Sequence, residues 1–330
     1  ESTDYSSDKK VRVLQTAKLG KGLPIVLMGD GFIDTEINDG TYDAVMDKAF
    51  ENLFTEEPIK SLRDYFNVYA VTAVSKHNIF GTGYETALGC ELAGGNSTGI
   101  SGEDNAVQRY VQCVDNIDMS ETLAVVILNS PAYAGTTYFG YTNQTKVVEF
   151  AIAYCPVIYD LQSESFRQVL VHEAVGHGFA KLEDEYAYQE NGTISSKEIK
   201  NVQYLQTLGW AQNVDFTSDP SQVLWSAFLN DNRYVSEKLG VFEGACTYIK
   251  GAYRSSEESM MNGNTQGFNA PSRKAIYDKI MERSLEKQMS YEEFVQFDLQ
   301  NRPQTRSVKS TVKPSKPFTR PHFVNRMLDK

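Results

Sequence analysis

Residues 169–186 read VLVHEAVGHGFAKLEDEY, and the fold of the chain turns on them. His172 and His177 stand five residues apart, with Glu173 directly after the first. The familiar zinc helix motif HExxH spaces its histidines four apart, because residues i and i+4 share one face of an α-helix. Each residue turns a regular helix by about 100°, so residues i and i+5 diverge by about 140°. A π-bulge absorbs one extra residue in a turn, such bulges gather at functional sites, and Gly176 eases the backbone adjustment. The spacing therefore predicts a locally widened helix if the two imidazoles are to converge.

The residue types suit a metal. Two neutral imidazoles and one carboxylate leave a fourth tetrahedral position for water, whose proton zinc loosens and a neighbouring glutamate can take. His172 and His177 are the candidate ligands, and Glu173 is the candidate general acid/base. A third ligand is expected just beyond the helix, where Gly178 permits a bend. Glu183, Asp184 and Glu185 qualify, and Asp184 is favoured. On its own, an acidic triplet is more often a solvated charge run. However, the chain has only four histidines, His77, His172, His177 and His322, and two of them flank this glutamate with acids following. That constellation favours a metal site.

Upstream of the motif, apolar runs alternate with helical patterns. LPIVLMGDGF (23–32) reads as a strand ending in a tight turn, TYDAVMDKAFENLF (41–54) as an amphipathic helix, and FNVYAVTAVS (66–75) as a second strand. EDNAVQRYVQCVDNI (103–117) reads as a second helix capped by Ser101, and TLAVVILN (122–129) as a third strand. A Gly- and Tyr-rich segment, SPAYAGTTYFGYT (130–142), follows, and KVVEFAIAYC (146–155) adds one more strand before the histidines. This order predicts an α+β fold with a mixed sheet backed by helices. After residue 186 the pattern weakens into turn-rich sequence, with clear helices at SRKAIYDKIMERS (272–284) and SYEEFVQFDLQ (290–300).

Composition narrows the function classes. With 41% hydrophobic residues in 330, the chain can bury a substantial core. No apolar run reaches the ~18–20 residues of a membrane helix. The net charge of −11 argues against a nucleic-acid partner, all the more because the last thirty residues are basic. There Arg302, Arg306, Lys309, Lys313, Lys316, Arg320, Arg326 and Lys330 stand against Asp329 alone, interrupted by Pro303, Pro314, Pro317 and Pro321. Residues 301–330 therefore read as a tail of extended chain, either lying on the acidic body or free. The cysteines, Cys90, Cys113, Cys155 and Cys246, lack C-x-x-C spacing; Cys90 and Cys113 could pair in an oxidising compartment, and unpaired thiols are an equally good reading. The opening ESTDYSSDKK is compatible with a processed, exported protein.

HEAVGHGFAKLEDEY resembles the signature of the IgA peptidase family of bacterial metallopeptidases, metallopeptidase family sixty-four, in which a His-Glu helix is followed by Gly-His and then Leu-x-Asp-Glu-Tyr. IVLMGDGF (25–32), FNVYAVTAVS (66–75) and MMNGNTQGFNAPSRKAIYDKIM (260–281) fall where similar family segments fall, so the likeness covers roughly residues 20–300. Many members carry the shorter HExxH, whereas dipeptidyl-peptidase III enzymes bind zinc through a similar HExxxH helix. The resemblance implies a zincin-like fold: a twisted mixed sheet with backing helices and an active-site helix over about residues 11–180, and a smaller irregular or helical lobe over 181–300, together one catalytic domain within 1–300. It also implies one catalytic Zn²⁺ held by His172, His177 and Asp184, with Glu173 as acid/base, a protein or peptide substrate, and a secreted or cell-envelope location.

Lesser candidates complete the picture. Met260 and Met261 fall where a metzincin would place a Met-containing turn, and ordinary core methionines explain them equally well. Tyr253 is a candidate donor to the substrate carbonyl, with Tyr186 the alternative. Asp30, between two glycines, is explained by a tight turn, and a Ca²⁺ site with Asp34 or Glu36 lacks the EF-hand spacing. A substrate is expected to lie extended beside AYAGTTYFGY (132–141) at the sheet edge. The rival functions are a catalytically silent zinc-containing module that binds protein or glycan, and a zinc hydrolase of another amide bond.

Overall fold

The computed structural model describes residues 1–264, 266–303 and 318–329, and they fall into two compact units. Glu1–Thr55, Leu62–Phe179 and the described part of Ser315–Lys330 form the first; Glu56–Ser61 and the described part of Ala180–Pro314 form the second.

Within the first unit the order is β1 (Val11–Gln15), β2 (Leu23–Asp30), α1 (Asp34–Asn38), α2 (Thr41–Leu53), β3 (Phe66–Val71), β4 (Glu91–Leu92), β5 (Ile100–Ser101), α3 (Asp104–Val111), β6 (Leu123–Leu128), β7 (Thr136–Asn143), β8 (Lys146–Val147), β9 (Ala151–Pro156) and α4 (Glu164–Leu170), which runs into a π-helix over Val171–Phe179. Strands β3, β2, β6 and β9 are parallel neighbours, while β1 and β7 pair antiparallel at the two sides. Every residue of β2, β6 and β9 is buried, as continuous apolar runs require when helices cover both faces of a parallel sheet. One face packs Val26, Met28, Ala124, Val126, Ile152 and Tyr154 against Ala106, Val107, Tyr110 and Val111 of α3. α2, α4 and the π-helix also pack on the sheet, against β2, β6 and β9. α2 buries Tyr42, Val45, Met46, Ala49 and Leu53 at helical spacing, and the Tyr42 hydroxyl accepts from Gly29 N (2.8 Å) and donates to Val71 O (2.6 Å).

Three local expectations are revised. The cap of α3 is Glu103, because Ser101 is taken into a two-residue ladder with Glu91. KVVEFAIAYC is split into β8 and β9, which both pair with β7. The Gly- and Tyr-rich segment forms β7 itself; its burial from Thr136 to Tyr141 obscures the alternation that a half-exposed strand would show.

Asp30, at the end of β2, accepts four hydrogen bonds: from Ser75 Oγ (3.2 Å), Thr86 Oγ1 (2.8 Å), Leu88 N (3.0 Å) and Cys90 N (3.0 Å). Its carboxylate anchors the 86–90 loop. Asp34 accepts from Thr3 N and Asp4 N, and Glu36 from Ile33 N and Asn129 Nδ2, so the acids of the calcium alternative are occupied with protein donors. Cys90 and Cys113 are separate thiols against the α3 core and form no disulfide.

The second unit contains α5 (Ser196–Thr207), β10 (Val214–Asp215), α6 (Ser226–Leu229), β11 (Phe242–Ala245), β12 (Tyr248–Arg254), α7 (Ala270–Leu285) and α8 (Tyr291–Asn301). An antiparallel sheet has β12 between β10 and β11. Asn269 caps α7 with Pro271 in its first turn, and Ser290 with Glu293 forms a capping box on α8. The two helices are tied by Arg273, which gives Asp298 two bonds (2.8 and 2.9 Å), and by the Tyr277–Phe294 ring contact.

The chain then returns to the first unit. β13 (His322–Met327) pairs parallel with β7, giving the sheet order β1-β3-β2-β6-β9-β7-β13 among the described residues. Arg306, Lys309, Lys313, Pro314, Lys316, Pro317 and Lys330 of the basic tail lie outside the described residues. The rest is no free tail: Arg302 meets Glu237 (3.1 Å), Arg326 meets Asp104 (2.8 Å), and β13 takes up backbone groups along the outer edge of β7. Among the described residues no helix is long and apolar enough to cross a membrane.

Candidate metal centre

Ser163 starts the helix that carries the motif, its Oγ accepting from Phe166 N (3.1 Å). After about two turns the α-helix widens, and Val171–Phe179 is π-helical and buried throughout. A single bulge was the minimum the spacing required; the structure spreads the adjustment over nine residues. In a π-helix the hydrogen-bonded ring closes at i+5, so residues five apart stack as residues four apart do in an α-helix. His172 and His177 consequently share a face. Their rings lie edge to face with centroids 4.7 Å apart, and the two Nε2 atoms are 3.0 Å apart. Two nitrogens bound tetrahedrally to one zinc at ~2.05 Å lie about 3.3 Å apart, within a few tenths of this separation. The donor atoms of His172, Glu173 and His177 all lie within 4.8 Å of one another. The pair of ring nitrogens thus fits a single shared cation.

Gly178 lies where the widened helix comes close to the sheet. A Cβ at Gly178 would stand 2.7 Å from Leu123 Cδ1 on β6 and 3.3 Å from the Glu173 carbonyl oxygen. A side chain here would have to displace the end of Leu123 and press on the Glu173 carbonyl.

β7 positions the glutamate. Thr137 Oγ1 lies 2.7 Å from Glu173 Oε2 and 2.9 Å from the Glu173 carbonyl oxygen, all buried. A Cβ at Gly135 would stand 3.0 Å from Glu173 Cγ and 2.7 Å from Val169 Cγ1, so the loop entering β7 shapes the other side of that side chain. Sequence reasoning missed both residues. The only signal they gave was membership of AYAGTTYFGY, which a substrate was expected to follow.

Glu183, Asp184 and Glu185 belong to the second unit and are 3%, 0% and 0% exposed, which disposes of the solvated charge run. Asn213 clamps the Glu183 backbone on both sides, accepting from its N (2.9 Å) and donating to its O (2.8 Å). Cys246 N donates to Asp184 O (2.8 Å), and Glu185 N donates to Met261 O (2.8 Å). The buried methionine turn therefore packs on the acidic segment. Glu185 Oε2 accepts from Ser259 (2.6 Å) and Asn269 (2.9 Å), and Oε1 from Asn213 (3.0 Å). Burial pushes the Glu185 carboxyl above its usual range, against these hydrogen bonds. Both its oxygens are committed to holding the unit together.

Tyr253 is half-buried on β12, opposite Asp215 and Glu243, and Tyr186 is buried with its ring 5.3 Å from that of Tyr188. The structure therefore brings together His172, Glu173 and His177 in the first unit, while Asp184 and Tyr253 lie in the second.

Comparison with known proteins bears on the chemistry. The family model described as IgA Peptidase M64 matches residues 11–236. The chain belongs to this peptidase family. The family is described as one of peptidases, and the buried His172, Glu173 and His177 are a group whose donor atoms could hold a metal ion. No curated protein matches the chain. Among solved structures, the crystal structure of metalloproteinase-II from Bacteroides fragilis is similar at 15% identity and a TM-score of 0.28, covering 52% of this chain and 45% of that one. The alignment thus spans less than half the length of that protein, and the likeness is too slight to carry an argument. The family resemblance read from HEAVGHGFAKLEDEY and the α+β architecture both hold.

Proposed function

We propose that this chain is a zinc-dependent endopeptidase. The observation that carries the reading is the pair of His172 and His177 Nε2 atoms, 3.0 Å apart on one face of a buried π-helix, with the carboxylate of Glu173 beside them. His172 and His177 would hold the ion. Asp184 is proposed as the third ligand, on three grounds: it follows the helix closely in sequence, it is buried, and its neighbour Glu185 is committed elsewhere. When bound, zinc supplies Lewis acidity toward a water and toward a peptide carbonyl.

The chain's own residues do the rest. Glu173 takes the proton released as the water attacks and delivers it to the leaving amine, so one carboxylate serves as base and then as acid. Thr137 holds that carboxylate in one orientation through the hydroxyl 2.7 Å away. Tyr253 is assigned the role of donor to the carbonyl oxygen, on the chemistry of a half-buried phenol. The methionine turn and the Asn213 clamp fix the acidic segment by main-chain bonds, which holds Asp184 in a defined backbone setting. Endopeptidase action and a secreted or cell-envelope location are part of this proposal, and the resemblance to bacterial metallopeptidases is what suggests them.

Digestion of a mixed peptide library, with product ends read by mass spectrometry, tests this reading. Internal cleavage by the wild type and none by Glu173→Gln is the expected result. Hydrolysis of small amides without peptide cleavage would replace it with the amidase alternative.

A further inference from the structure

The outer edge of β7, where a substrate strand was expected, is occupied by the chain itself. β13 pairs parallel along it, His322 opposite Tyr138 and Met327 opposite Thr142, and Leu328 N extends the pairing to Thr142 O (2.9 Å). Ahead of the strand, Thr319 N donates to Thr98 Oγ1 (2.8 Å), and the Phe318 ring stacks on His172 with centroids 4.9 Å apart and planes 16° apart. The segment thus runs from the face of a proposed metal ligand outward along the strand whose Thr137 holds Glu173.

Its manner of binding is that of an added strand, with Leu328 at its end reaching the α3 core and Val324 packed against it. Five of the six residues of β13 are exposed, and the segment's buried side chains are at its ends, Phe318 at 4% and Leu328 at 9% exposure. Between them Phe323 sits over Gly140, where a Cβ would meet the Phe323 ring at 2.6 Å, and His322 stacks on Tyr138 at 4.7 Å. Main-chain pairing with a few side-chain seats is how an extended peptide binds a sheet edge.

We propose that residues 318–329 are a built-in competitor: they occupy the peptide-binding edge of β7 and cover the ring of His172, so that an extended substrate enters only when this segment leaves. The proposal rests on the peptidase reading. A tethered segment acts at an effective concentration of about 1 mM, so one that binds with a Kd of about 100 μM raises the apparent KM roughly tenfold and leaves kcat unchanged.

The test keeps the full chain. A recognition site for a specific protease is placed in the sequence between Pro303 and Phe318, the purified zinc-loaded protein is cut, and the released piece is removed by gel filtration. Peptide cleavage is then measured before and after the cut, with zinc content read alongside. The expected result is a roughly tenfold rise in kcat/KM carried by KM, reversed when a synthetic 318–329 peptide is added back at about 1 mM. Phe318→Ala in the uncut chain should move KM in the same direction, while Met327→Ala, at an exposed position, should not. Unchanged or lower kcat/KM after the piece has gone would overturn the proposal and leave the peptidase reading standing. No cleavage by either form with zinc bound would overturn the peptidase reading, and the proposal with it.

Discussion

Thr137→Val isolates what β7 does for catalysis. The hydroxyl is buried and lies 2.7 Å from Glu173 Oε2 and 2.9 Å from the Glu173 carbonyl oxygen, so the substitution leaves the shape nearly intact and removes only the donor. A hydrogen bond to a charged group contributes about 1.5–3 kcal/mol, and a buried acceptor left without it pays its desolvation. If that energy is what orients the carboxylate, kcat falls by about 10- to 100-fold, since about 1.4 kcal/mol is tenfold in rate. KM should hold, because the hydroxyl faces Glu173, and zinc content should stay at that of the wild type. Thr137→Ser keeps the donor and should recover kcat to within a few-fold, at a stability cost of about 1 kcal/mol for the lost methyl. The assay is hydrolysis of a quenched fluorescent peptide taken from the library digest, with the melting temperature measured on the same samples. If Thr137→Val keeps kcat within twofold, the hydroxyl does not position Glu173 and the reasoning fails.

The other expectations concern the frame around the site. Gly178→Ala should cost about 1–3 kcal/mol and lower zinc occupancy, because its Cβ would meet Leu123 Cδ1 at 2.7 Å; calorimetry together with metal analysis reads both effects. Asp30→Asn puts an amide NH₂ where an oxygen now accepts two hydrogen bonds, and should cost about 2–4 kcal/mol in chemical denaturation. Asp231 is held down to about 2, chiefly by its hydrogen bonds with Arg233. A carboxyl lowered on folding adds stability that is present above an unfolded value of about 4 and lost as pH falls toward 2. The denaturation midpoints of wild type and Asp231→Asn should therefore converge on acidification, and a constant gap would refute the assignment.

The sheet strands and helices with unmixed patterns were legible in the sequence. LPIVLMGD and TLAVVIL are uninterrupted apolar runs, and Thr41–Leu53 has its apolar residues at helical spacing, so local pattern and burial agree. His172, Glu173 and His177 were legible because their spacing admits one geometry, a widened helix, and the structure has it. β7 was hidden because glycines and tyrosines covered on both faces carry no period of two. Thr137 and Gly135 were hidden for a different reason: their role is contact with a residue 36 or more positions away, which no local pattern records. The same holds for β13, whose basic, proline-flanked sequence describes its exposed side chains and not the strand edge it pairs with.

Metal stoichiometry tests the central claim most directly. Zinc is measured by mass spectrometry on protein purified without a metal-affinity tag, for the wild type and for His177→Ala, Asp184→Ala and Glu173→Gln. About one zinc per chain in the wild type and in Glu173→Gln, with markedly less in the other two, is what a two-histidine, one-aspartate site with a non-ligand glutamate predicts. A wild type that takes up no zinc even when zinc is supplied, or a His177→Ala chain that keeps it, would contradict the account.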